Sequence, residues 1–312
     1  MNKIHNFDIV VNTSLTGIDP NSKTPDLDRN DFILSVINGF EDGEWRDNEF
    51  RKFIMNNIAL TGLSAEDRDN LYSESPYTLI TESIKNLRLI DKDNGKGSEI
   101  AEIILYGIMR FHYKALPVVP KIFYKQNPND NAKGADSVHI VLSNDGDFTL
   151  WLGEAKFYND IADERLYEPI KSVFETIGTE KIKKENSIIT SIKDLEYVID
   201  DPIIRKKVQQ VLRRDTPIDE IKKRLHIPIL LLHECDKTQK ATALTDKYIA
   251  EIKAFHLERA VRYFMSQNNR QGKENIYGYE NIQFHLILFP VPNKNNIVRW
   301  FVNRAKQIKE DA

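Results

Sequence analysis

The chain has 312 residues, enough for one large domain or two modest ones, and its 41% hydrophobic and 29% charged residues are the balance of an ordinary globular protein. A net charge of −3 gives no global pull toward nucleic acid, so any DNA contact has to come from a local basic surface. The one cysteine, Cys235, excludes an internal disulfide and a cysteine-rich zinc site and fits a reducing cytosol; the polar N-terminus is no signal peptide, and no apolar window is long enough to predict a membrane span.

In chain order, Phe7–Asn12 predicts a strand and residues 13–29 a polar loop. Asp31–Phe40, Asn48–Leu60 and Tyr77–Leu87 have helical apolar spacing, and Ser64 with Asp67 resembles a capping box. Residues 1–90 therefore read as a mostly helical region packed on the core. Residues 91–312 read as that core, with a helical insertion at about 178–226. In the core a polar loop, 91–98, precedes a helix over Glu99–Phe111, with Ile100, Ile103, Ile104 and Ile108 on one stripe. Lys121–Lys125 predicts a strand. Asp136–Leu142 and Phe148–Phe157 predict a hairpin around Asp145-Gly146. Helix returns over Ala162–Ile177, Ile192–Ile199, Pro202–Arg213 and Pro217–Arg224. The apolar runs Ile227–Leu232 and Ile282–Phe289 are buried-strand candidates, with Pro228 tolerable because it lies near a strand start. Thr245–Met265 and Asn296–Ile308 close the chain as helices. The pattern predicts an α/β fold, a mixed sheet flanked by helices.

The hairpin carries the chemistry. Alternate strand residues share a face, so Asp136, Val138, Ile140 and Leu142 line up on one strand, and Phe148, Leu150, Leu152, Glu154 and Lys156 on the other. A three-residue turn with Gly146 in the left-handed position pairs Ser143 with Asp147 and sets Asp136 opposite Glu154. A two-residue turn would put the acids on opposite faces; only the first register keeps the apolar residues together. Two carboxylates half-removed from water repel, and a divalent cation such as Mg²⁺ resolves that conflict. Lys156 points to the same side and can orient water or offset charge on a phosphate. Gly153 allows a close approach by backbone or substrate.

At these residues the sequence resembles the PD-(D/E)XK nucleases: the Glu99 helix, Gly134-Ala135-Asp136, Gly153-Glu154-Ala155-Lys156, then the helix from Ala162. The family's proline before the aspartate is Ala135 here. The segments GSEIAEIILYGIM, KGADSVHIV and LWLGEAKFYNDI resemble more closely the HamA family, the nuclease subunits of Hachiman anti-phage defence systems. The resemblance implies a restriction-endonuclease-like fold and an endonuclease that cuts DNA with Mg²⁺ or Mn²⁺. It also implies an effector controlled by a helicase-like ATPase, HamB. No GxxxxGK[ST] occurs in the chain, so it supplies no motor of its own. The resemblance gives Asp136 and Glu154 as metal ligands, Lys156 as the catalytic lysine, and an acid on the first helix. That acid is Glu99 or Glu102, three apart on one face, with Glu99 preferred. The alternative is a non-catalytic module that docks DNA or a helicase on a nuclease fold.

Pro202–His226 carries a local excess of five positive charges. Within it Arg205, Lys206, Lys207, Arg213 and Arg214 form a candidate DNA-binding face, against the plainer reading of a solvated helix pair. His139 falls on the face away from the acids. His226, His233 and Cys235 read as packing rather than a zinc site. Tyr158 and Lys171 either line a groove or lie free on the surface.

Overall fold

Four apolar runs, DFILSVI, FTLWLGEAKFY, LHIPILLLHE and QFHLILFPV, form the parallel centre of an eight-stranded sheet in a computed structural model that describes residues 2–15, 31–72, 75–87, 97–125 and 134–311. The strands are β1 (Lys3–Ile4), β2 (Phe7–Ser14), β3 (Asp31–Ile37), β4 (Phe40–Glu41), β5 (Glu44–Trp45), β6 (Leu116–Val119), β7 (Ser137–Leu142), β8 (Phe148–Tyr158), β9 (Leu225–Glu234) and β10 (Gln283–Val291). The helices of the first half are α1 (Asp47–Asn57), α2 (Ala59–Gly62), α3 (Ala65–Tyr72), α4 (Pro76–Lys85), α5 (Ser98–Phe111), α6 (Lys121–Tyr124) and α7 (Tyr167–Thr176). Those of the second half are α8 (Thr179–Ser191), α9 (Asp194–Val198), α10 (Pro202–Val211), α11 (Ile218–Lys222), α12 (Asp236–Lys240), α13 (Asp246–Glu274) and α14 (Lys294–Glu310).

The sheet order is β1-β2-β3-β10-β9-β8-β7-β6. The strands β3, β10, β9 and β8 run parallel; β7 and β6 continue antiparallel on one flank, β2 and β1 on the other. This is the expected α/β mixed sheet between helices. Central strands of such a sheet are buried on both faces, which is why they read as continuous apolar runs. One face packs Val138, Leu150, Leu152, Ile229 and Leu286 with Val173, Ile182 and Phe264 of α7, α8 and α13. The other packs Trp151, Ala155, Leu230 and Phe289 with Phe53, Ile104 and Phe301 of α1, α5 and α14. Among the described residues no helix is long and apolar enough to cross a membrane.

The structure departs from expectation at three places. Asp31–Ile37 is a strand, not the start of a helix. Six of its seven residues are buried, and periodicity cannot tell a doubly buried strand from a helix face. The first 90 residues thus supply β1, β2 and β3 to the common sheet as well as α1–α4. Lys121–Lys125 is helical, and the strand lies just before it. There β6 is an edge, where Pro117 costs no ladder bond, and Pro120 caps the turn of α6. Pro228 lies inside β9, a central strand. It keeps its pairing with His285 on β10, whereas the β8–β9 ladder skips from Trp151–His226 to Glu154–Ile229. Most of the predicted loop at 13–29 and of that at 91–98 lies outside the described residues.

Half of the capping box at Ser64 forms: Asp67 N–H donates to Ser64 Oγ at 3.0 Å, while the Asp67 carboxylate accepts from the Ser64 hydroxyl at 2.6 Å instead of the Ser64 backbone N–H. A buried chain of hydrogen bonds ties α13 to the sheet. His233 Nδ1 donates to the Leu231 carbonyl, so its Nε2 accepts from His256 Nε2, whose Nδ1 in turn accepts from Ser35 Oγ at 2.6 Å. Burial holds the imidazoles of His139, His226 and His233 down to about 3, about 4 and about 4. Each stays neutral in the fold, so the unfolded chain binds more protons below about pH 6.5 and stability falls as the pH drops through that value. Neither His139 ring nitrogen has a hydrogen-bond partner. At pH 5.5 that imidazole alone costs about 1.4 kcal/mol. Urea unfolding of His139→Leu at pH 7.5 and 5.5 should show a loss on acidification smaller than wild type by about that amount. An equal loss would mean that the imidazole is not buried neutral.

Candidate active site

The register of the β7–β8 hairpin places the acids. Ser143 N–H donates to the Asp147 carbonyl at 2.9 Å, Gly146 adopts φ +74°, and Ser137 pairs with Gly153. Asp136, one step before β7, therefore stands opposite Glu154. Its N–H donates to Gly153 O at 2.8 Å, and its Oδ2 accepts from the Ala155 N–H at 3.1 Å. Gly153 is confined by its own fold: a Cβ there would lie 2.2 Å from Ser137 Oγ and 2.9 Å from Leu105 Cδ2. The close approach expected at this glycine is made by neighbouring side chains.

Five ionisable side chains and one hydroxyl converge at this open end of the hairpin. Glu154 is 4% exposed. Its Oε1 accepts from Thr176 Oγ1 of α7 at 2.9 Å, and its Oε2 lies 3.3 Å from Lys156 Nζ. The Lys156 ammonium is also 3.5 Å from Asp136 Oδ2. On the other side of Asp136, Lys125 stands 3.6 Å from Oδ1 and 2.9 Å from Glu102 Oε1. Three carboxyl groups thus face two ammoniums.

The charge imbalance shows in the protonation states. Burial, then the neighbouring Asp136 charge, pushes the Glu154 carboxyl well above the usual carboxylate range. Burial likewise raises Glu102, against the pull of Lys125. Burial also works against ionised Asp136, but Lys125 and Lys156 outweigh it and hold that carboxyl low. Glu154 and Asp136 share the Lys156 ammonium, which lies 3.3 Å from one and 3.5 Å from the other. Burial disfavours both ammoniums, yet the acids keep Lys125 and Lys156 firmly protonated.

Two carboxyl groups facing each other out of water mark a place where a hard divalent cation fits. Among the described residues no three His, Cys, Asp or Glu side chains converge closely enough to hold a metal by themselves. Two carboxylates are sufficient for Mg²⁺, which usually keeps several waters. The donor set therefore fits a cation held by Asp136 and Glu154.

The helix acid that reaches Lys125 is Glu102, 5% exposed. Glu99, the preferred candidate, sits one turn earlier and half-buried; its charge is felt by both Glu102 and Lys309. The sequence carried a signal for Glu102: it is the one acidic residue in IAEIILYGIM, and every residue of that run is buried. Lys125 and Thr176 have no comparable signal, since both come from turns of helix with ordinary composition.

The candidate basic residues do not join the acids. Lys207 donates to Gly146 O at 3.1 Å and pairs with Asp147 at 3.1 Å, at the turn end of the hairpin. Seven strand steps separate Asp147 from Glu154, about 24 Å. Arg205 donates to Glu196 O, Arg213 pairs with Asp215, and Lys206 and Arg214 are exposed. Tyr158 is half-buried beside Lys156 and Arg165, while Lys171 is exposed with Glu175 one turn on. His139 packs on Tyr106 away from the acids, and His226 bonds His285 at 2.9 Å. Cys235 is buried and free.

No curated protein matches the chain. A family model does, over residues 15–305, a span that contains every strand of the parallel centre and all of the acidic cluster. The chain belongs to the HamA family.

Proposed function

We propose that the chain is a divalent-metal-dependent DNA endonuclease, the effector of a two-component Hachiman antiviral system whose helicase-like ATPase, HamB, controls it. The observation that carries the reading is the facing pair Asp136 and Glu154, both in ion-pair contact with Lys156 at the end of a buried hairpin. Membership of the HamA family supports the defence role and the two-protein setting.

In this reading Asp136 and Glu154 hold Mg²⁺ or Mn²⁺, with Glu102 as the acid of the first helix in place of Glu99. When bound, the cation supplies Lewis-acid activation of a phosphodiester and of attacking water. Thr176 fixes one oxygen of Glu154, which turns the other toward Asp136 and Lys156. Lys156 stays protonated, so it orients water and offsets negative charge on the phosphate rather than acting as a base. Lys125 stands between Glu102 and Asp136 and offsets the charge of both. Burial behind α5 and α7 excludes bulk water and strengthens each of these interactions.

Glu154→Gln and Lys156→Ala should each lower plasmid cleavage in Mg²⁺ by about 100-fold or more, with the thermal midpoint within a few degrees of wild type. Glu102→Gln should do more damage than Glu99→Gln. Titration calorimetry with Mn²⁺ should show binding to wild type and none to Asp136→Asn. Wild-type cleavage by the Glu154 and Lys156 variants would dismiss the nuclease reading and favour a docking module. Preference for RNA in matched-strand assays would change the substrate.

Lys207, at the turn end of the hairpin about 24 Å from the acids, and the exposed Lys206 and Arg214 near it in the chain can hold a DNA backbone away from the scissile phosphate. Neutralising Lys206 and Arg214 together should raise the KM for DNA and flatten its salt dependence while leaving kcat unchanged. A fall in kcat with constant KM would place that face at the reaction itself.

A further inference from the structure

The one-turn helix α6 carries Lys121 and Tyr124, with Lys125 just past its end, and each of these side chains is taken by an acid from another element. Tyr124 donates to Asp194 of α9 at 2.5 Å. Lys125, just past its end, holds Glu102 and Asp136. Lys121 holds Glu185 of α8, with Nζ 2.8 and 2.6 Å from the two carboxylate oxygens.

The last pair is sealed from water, Lys121 at 0% and Glu185 at 1% exposed. Desolvation offsets much of the attraction in such a pair, so stability is a weak reason for its presence. Its position points to another. Glu185 Oε1 accepts the Ala135 N–H at 3.0 Å. At Gly134 a Cβ would stand 1.8 Å from that same oxygen, so the carboxylate occupies the space a side chain would need. The next amide, Asp136 N–H, is bonded to Gly153 O. Two successive amides are thus pinned, one by α8 and one by β8, and the Asp136 side chain leaves from the second. The helix α8 otherwise meets the core through Ile182 and Ile189.

We propose that Glu185, held by Lys121, is a positioning residue for Asp136: it grips the Gly134–Ala135 backbone and so aims the Asp136 carboxylate at Glu154. This rests on the reading of Asp136 as a metal ligand. The helical insertion is then part of the site's support, and a shift of α8 is passed to Asp136 through one hydrogen bond. Groups of this kind, one step behind a metal ligand, typically cost 10- to 100-fold in affinity or activity when lost.

The test uses the full chain in three variants. The double variant Lys121→Met/Glu185→Gln removes both buried charges but keeps an acceptor for the Ala135 amide. Lys121→Met/Glu185→Met removes the acceptor as well. Gly134→Ala attacks the contact from the other side, with Lys121 and Glu185 both unchanged, and decides the matter if the Met/Met variant does not fold. Thermal midpoint, amide exchange at residues 135 and 136, Mn²⁺ affinity by calorimetry, and kcat and KM on plasmid DNA are measured for each. The expected result is near-wild-type behaviour for Met/Gln. For Met/Met and Gly134→Ala it is exchange faster by about 10-fold, Mn²⁺ binding weaker by about 10-fold and a lower kcat at unchanged KM. Wild-type exchange and Mn²⁺ affinity in Met/Met or Gly134→Ala would overturn the proposal, as would equal damage in Met/Gln. A wild-type chain that neither binds Mn²⁺ nor cuts DNA would defeat the nuclease reading instead, while the exchange data still decide whether Glu185 pins the strand entry.

Discussion

Three carboxyl groups and two ammoniums packed behind a layer of helices cannot all be satisfied by one another. That imbalance governs the open end of the β7–β8 hairpin. Glu154 and Glu102 respond by favouring their protonated forms, Asp136 by staying ionised between two lysines. An acid pair that merely stabilised the fold would be better replaced by apolar groups of similar size. Its persistence in the core makes chemical sense when a cation or a phosphate completes the charge balance.

The sheet makes that arrangement possible. The strand β8 is paired with β9 on one side and β7 on the other, so its backbone cannot shift to relieve repulsion between the acids. Helix α7 brings Thr176 to one face and α5 brings Glu102 from the other. The site lies in the carboxyl-terminal half of a parallel strand, the end at which open α/β sheets collect their ligands. The interruption of the β8–β9 ladder at Pro228 falls next to Gly153, the residue squeezed by Ser137 and Leu105 just before Glu154. Local irregularity and the acidic cluster coincide.

Legibility from sequence followed the range of the interactions. The Asp136–Glu154 opposition was readable because it depends on a turn of five residues and on apolar alternation beside it. The buried strands β9 and β10 were readable as apolar runs, whereas the same property misled at Asp31–Ile37, where strand and helix patterns overlap. The choice between Glu99 and Glu102 turned on which side of α5 faces Lys125, which helical spacing of three leaves open. Glu185 lay in EKIKKE, a run that reads as a solvated face, and nothing local marks it as the partner of a buried lysine 64 residues away.

By itself the sequence determined the α/β class, the hairpin register and the trio Asp136, Glu154 and Lys156, since each is set by neighbours within about 20 residues and by alternation along a strand. Only the tertiary structure decided which helix acid completes the cluster, that Lys125 and Thr176 belong to it, and that Lys207 of α10 lies at the turn end of the hairpin. Those are contacts between segments distant in the chain, fixed by how helices pack across the two faces of the sheet, and composition carries no record of that packing.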